Sequence, residues 1–140
     1  MAALFTLKII TPEKIFFEGE TSQVIVRTSE GDIGILANHI SLVADLPSGP
    51  VKIKQENGDW HTAAVSTGLI KVGGNKVSIF ANAVEWAEDI DIDWAKRSEE
   101  EARQRLKEAQ QSKREMDYAE LKLKRALNRI SVHDKYGSTR

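Results

Sequence analysis

The sequence predicts an α+β protein, an N-terminal antiparallel β-sandwich followed by a C-terminal antiparallel α-helical hairpin. All three prolines and eight of the nine glycines lie before Asn75, and neither residue occurs from Asn75 to Tyr136. Both punctuate strands and turns and are poorly tolerated inside a helix. Apolar residues alternate with period two in the first part and recur at spacings of three and four in the second. The boundary predicts a sandwich domain over residues 1–87 and a helical hairpin over 88–140.

Phe5, Leu7 and Ile9 alternate with Thr6, Lys8 and Ile10, the mark of a strand with one buried face. Ile15-Phe16-Phe17, Val24-Ile25-Val26 and Ile33 to Leu36 follow, the last two joined by the turn Ser29-Glu30-Gly31-Asp32. Val51 to Gln55 and Trp60 to Val65 flank Glu56-Asn57-Gly58-Asp59, whose Asn-Gly predicts a hairpin with φ > 0 at both central residues. A second hairpin joins Leu69–Val72 to Val77–Phe80 through Gly73-Gly74-Asn75. Short strands without crossover helices argue for an antiparallel sandwich or flattened barrel.

In the second part, Glu85, Glu88, Asp89, Asp91 and Asp93 crowd a helix start, where carboxylates cap free N–H groups and oppose the dipole. Ala95, Ala102, Leu106 and Ala109 mark the seam of a first helix. The polar run from Gln110 to Arg114 interrupts it, and Met116, Ala119, Leu123, Leu127 and Ile130 resume it. Two antiparallel helices are the simplest arrangement. The seam is thin, because the first helix offers mostly alanine while a large aliphatic side chain is worth about 1.5–3 kcal/mol. A hairpin closed by so little suits a partner-driven switch, and a rigid docked hairpin fits the composition equally.

Several function classes are excluded. Twenty basic and 21 acidic residues leave a formal net charge of −1, which points to neither nucleic acid nor an anionic membrane. No cysteine is present, ruling out disulfides and thiolate chemistry. Met1 to Ile10 lacks the pattern of a signal peptide, and no run approaches the ~20 apolar residues that span a bilayer. The expectation is a soluble, cytosolic chain whose membrane link runs through a partner. His39, His61 and His133 lack metal-ligand spacing, and Gly73-Gly74 lacks the lysine and helix start of a phosphate loop. No nucleophile elbow is visible, so catalysis by this chain is not expected. Lys122, Lys124, Arg125 and Arg129 form a basic run in which Arg125 and Arg129 stack four apart and could share an anion. A solvated face complementing the helix dipole accounts for the same run. Trp86 and Trp94 flank the junction and suit packing of the helices onto the sandwich.

The order of Ser29 to Leu42 (SEGDIGILANHISL), Ser66 to Val72 (STGLIKV) and Lys124 to Val132 (KRALNRISV) closely resembles the bacterial epsilon subunit of the F-type ATP synthase. The likeness covers nearly the whole chain. One departure is Ala37, where the family usually has proline before the histidine. The resemblance implies ten strands, and a non-catalytic place in the rotating central stalk of a proton-translocating enzyme. Implied partners are the gamma subunit, the ring of c subunits and the catalytic alpha and beta subunits. The implied location is peripheral, at the cytoplasmic face of the plasma membrane. It further implies that the turn matching Asp32 and the loop matching His39 make ring or stalk contacts. The hairpin would be regulatory: folded it permits turnover, extended along gamma it blocks ATP hydrolysis, with Lys122, Lys124, Arg125 and Arg129 as the inhibitory basic face.

Some members bind ATP on the folded hairpin. Glu85, Ile90, Asp91, Ala95, Arg125 and Arg129 match that pattern, but Trp94 stands where it has arginine. Losing that cation removes a charge-assisted contact, so the resemblance implies ATP as a weak regulatory ligand at most. A free-standing nucleotide sensor and a rigid adaptor outside any rotary enzyme are the alternatives.

Overall fold

The computed structural model describes residues 3–108 and 112–137, so Ala109, Gln110 and Gln111 of the expected seam and turn lie outside the described residues. The chain divides into two compact units, Met1–Trp86 and Ala87–Arg140.

The first unit has ten strands: β1 Phe5–Ile10, β2 Ile15–Thr21, β3 Gln23–Thr28, β4 Gly31–Leu36, β5 Leu42–Leu46, β6 Gly49–Lys54, β7 Trp60–Val65, β8 Gly68–Gly73, β9 Lys76–Ala81 and β10 Val84–Trp86. They form two five-stranded sheets, ordered β2-β1-β9-β8-β5 and β10-β7-β6-β3-β4. Their alternating inner residues, among them Phe5, Leu7, Ile9, Val24, Val26, Val51, Ile70 and Ile79, are buried and make one core. In β1, β3, β6 and β9 burial at every second residue pins the register, since a one-residue slip would turn the apolar set outward.

The sandwich is not wholly antiparallel: β1 pairs with β9 in parallel, Leu7 opposite Val77 and Ile9 opposite Ile79. These strands are remote in sequence, and local turn signals carry no information on such a pairing. The hairpins also differ from expectation. Of Asn57 and Gly58, only Gly58 has positive φ (89°), and the Gly58 N–H donates to the Gln55 carbonyl at 2.9 Å. That is a longer hairpin loop built on an ordinary turn. The turn with positive φ at both centres is Gly74-Asn75, at 60° and 57°. At the other end of that hairpin Gly68 is required for space, since a Cβ there would overlap the Phe80 carbonyl oxygen and lie 2.9 Å from the Ala81 Cα.

The second unit holds a 3-10 turn, Ala87–Asp89, and two helices, α1 Ile92–Glu108 and α2 Lys113–Tyr136. Asp91 starts α1: its Oδ1 accepts from the Trp94 N–H at 3.0 Å. Ser112 caps α2, accepting from the Glu115 N–H at 3.3 Å, an arrangement the polar run concealed. Gly137 ends α2, donating its N–H to the His133 carbonyl at 2.8 Å.

Candidate functional site

α1 and α2 pack along a seam of alanines. Ala95 and Ala102 on α1 and Ala119 and Ala126 on α2 are at most 1% exposed, each pair seven residues apart. Small residues at heptad spacing let two helices approach closely, with few contacts per turn to hold them. Burial at about 0.8 kcal/mol per methyl-sized group gives roughly 3 kcal/mol for these four, before ordering costs. Val132 adds the one larger fully buried side chain of α2. The expected seam residue Leu127 is instead 39% exposed, and Met116, Leu123 and Ile130 are half-buried. Ala126 takes the inward position because its methyl fits the close approach and a leucine would not.

The four residues of the basic run on α2 do not share one face. Lys122, Arg125 and Arg129, spaced three and four apart, are half-buried, while Lys124 is exposed and points away from Lys122. Lys122 sits over the Tyr118 ring, 5.4 Å from its centroid, and Arg129 lies 4.8 Å from the centroid of Trp94. A cation over an aromatic face is attracted by the ring quadrupole.

Of the residues matched to the nucleotide pattern, Ile90, Asp91, Ala95, Arg125 and Arg129 lie in the helical unit. Glu85 lies on β10 of the sandwich, opposite Ala64. Ile90 and Ala95 are buried, and the Asp91 carboxylate is engaged as a helix cap. Trp86 finds its ring partners inside the sandwich, stacked on His61 at 3.6 Å and beside Phe16 at 4.8 Å.

Asp32 and His39 lie beyond or near opposite ends of β4. From Asp32 to Leu36, at about 3.3 Å per residue, is roughly 13 Å along the strand. Asp32 is exposed and its Oδ1 accepts from the Arg27 Nε at 3.0 Å, across the β3–β4 pair. Thr28 Oγ1 donates to the Gly31 carbonyl at 2.7 Å and holds the turn between them. The His39 loop is pinned by Asn75: its Oδ1 accepts from the Asn38 N–H at 2.9 Å, and its Nδ2 donates to the Leu4 carbonyl at 3.0 Å. Sequence reading placed Asn75 only in a turn. Ala37, two residues before the histidine, packs against the core, and His39 Nδ1 donates to the Ile40 carbonyl at 2.8 Å. Leu36 and Ile40 flank the histidine at 57% and 79% exposure, which makes this end apolar and open. Among the described residues no group of His, Asp or Glu is placed to hold a metal, and no helix is long and apolar enough to cross a membrane.

The fold is a β-sandwich of two five-stranded sheets followed in sequence by a two-helix unit. Residues 4–87 match the ATP synthase delta/epsilon chain beta-sandwich domain, and residues 88–134 match the long alpha-helix domain of the same chain. The ATP synthase epsilon chain of Ruminococcus albus is 44% identical over 134 residues, 95% of this chain and 98% of that one. That of Caldanaerobacter subterraneus subsp. tengcongensis is 39% identical over 137 residues, 97% and 98% of the two chains. A chain in the cryo-EM structure of Euglena gracilis mitochondrial ATP synthase shares the fold, with TM-score 0.79 at 22% identity over 91% of this chain and 80% of that one. The chain therefore belongs to the ATP synthase delta/epsilon family, as a bacterial F-type epsilon subunit, and is non-catalytic.

Proposed function

We propose that this chain works in the rotating central stalk of a proton-translocating ATP synthase, joining the catalytic head to the membrane ring and restraining ATP hydrolysis through its two helices. The carrying observation is the identity of 44% along 95% of the chain, through both the sandwich and the hairpin. The sandwich is the docking body. Asp32 and His39, in exposed segments toward opposite ends of β4, make its ring or stalk contacts. The apolar surround of His39, with Ile40 79% exposed, suits burial against a partner such as the gamma subunit. Through these contacts the chain is held peripherally at the cytoplasmic face of the plasma membrane.

The helical unit is the regulator. Its alanine seam closes by little, so a partner surface can hold the helices open. Extended, α2 would present Lys122, Lys124, Arg125 and Arg129 to acidic surface on the catalytic alpha and beta subunits, freeing Lys122 and Arg129 from their aromatic partners. ATP is at most a weak ligand of the folded hairpin, since Trp94 replaces a cation. Affinity purification of the tagged chain from solubilised membranes tests the assignment. Recovery of the large ATPase subunits in stoichiometric amount is expected. Recovery of the chain alone would favour a free-standing sensor or adaptor.

A further inference from the structure

We propose that Trp94 and Arg129 form a latch that keeps the α1–α2 hairpin closed without any bound nucleotide. The inference rests on the regulatory reading of the hairpin and says how this particular chain sets its resting state. Trp94 stands in the first turn of α1, where its own N–H is tied to the Asp91 carboxylate at 3.0 Å. The residue is 48% exposed, and its ring lies under the Arg129 guanidinium, whose carbon is 4.8 Å from the ring centroid. The pair joins one helix to the other beside the seam, next to Ala95 and one turn beyond Ala126, both buried. It lies at the end of the hairpin remote from the connection between α1 and α2, where separation of the helices would begin.

The chemistry explains why a tryptophan works there. A second arginine at position 94 would repel Arg129 unless an anion lay between them. An indole instead attracts Arg129 directly and needs no third party. Such a contact is worth about two- to fivefold in an equilibrium at a partly exposed site. Against a seam of four methyls, that factor is a substantial part of what closes the hairpin.

Amide hydrogen exchange on the full chain tests the latch, comparing wild type, Trp94→Leu, Arg129→Gln and the double variant. The opening constant of α1 and α2 should rise about two- to fivefold in each single variant. It should rise no further in the double variant, and sandwich amides should be unchanged. Trp94→Phe, which keeps a ring, should retain part of the protection, and serves with Arg129→Gln should Trp94→Leu melt α1. ATP at about 0.05 mM, well below the millimolar affinity expected of this chain, should leave wild-type protection as it was. Unchanged opening in both single variants, or single factors that multiply in the double variant, would overturn the latch. A gain of protection with ATP would overturn its independence of nucleotide. Exchange is read on the isolated chain, so failure to co-purify with ATPase subunits would sink the proposed function without touching this result.

Discussion

Ala102→Leu places a large side chain at a buried alanine of the seam between the two helices. Ala102 is 1% exposed on α1, in a seam whose α2 alanines, Ala119 and Ala126, are equally buried. The added atoms cannot be absorbed by a rotamer change, because buried alanines on the facing helix leave no groove for them. Overpacking of this kind costs about 1–3 kcal/mol. The seam methyls supply roughly 3 kcal/mol, so the substitution consumes a third to all of it. The closed-to-open ratio should fall by about 5- to 150-fold. Hydrogen exchange of α1 amides measures that ratio directly, while the β1 and β9 amides serve as an internal control. In the assembled enzyme, a hairpin biased open should inhibit more strongly, and the ATP hydrolysis rate should drop. Unchanged protection of α1 would refute the reasoning, since it would mean the helices are not held at the alanine seam. Greater exchange throughout the sandwich would refute the independence of the two cores.

Replacing Lys122, Lys124, Arg125 and Arg129 together with alanine should relieve inhibition of hydrolysis, most clearly at low salt, where exposed charges are least screened; equal rates at low and moderate salt would count against the basic contact. Calorimetry of the isolated chain with ATP should show millimolar or weaker binding, and Trp94→Arg should tighten it if Glu85, Asp91, Arg125 and Arg129 form the rest of the site. Micromolar binding by the native chain would refute the weak site. Gly68→Ala should destabilise the sandwich by about 1–3 kcal/mol in urea unfolding, because its Cβ has no room against β9, and a loss under 0.5 kcal/mol would show that the strands can yield.

The division into sandwich and hairpin was legible because glycine, proline and hydrophobic period are local properties. Eight strands stood out by alternation. β5 and β10 did not: β5 is five residues broken by Asp45, and β10 has only three, too short for a period to show. The parallel β1–β9 pair was invisible for a different reason, since it joins segments whose meeting depends on the whole topology. On the helices, apolar spacing drew attention to Leu127, whereas the close approach selected Ala126. Side-chain size, not hydrophobicity, decided that seam. Ser112 and Glu115 carried a legible cap signal, masked by the glutamines before them. At the candidate site, sequence supplied the residues and their number on each helix. It could not supply the Trp94–Arg129 stack or the tie from Asn75 to the His39 loop, because both depend on distances across elements.

The most direct test of the regulatory account compares the ATP hydrolysis rate of the enzyme reassembled with the full chain against that with a chain ending at Ala87. The shortened chain should remain folded by far-UV circular dichroism and enter the complex, because the sandwich has its own core. Hydrolysis should then be faster than with the full chain. Equal rates from two fully assembled enzymes would contradict the claim that α1 and α2 restrain the motor.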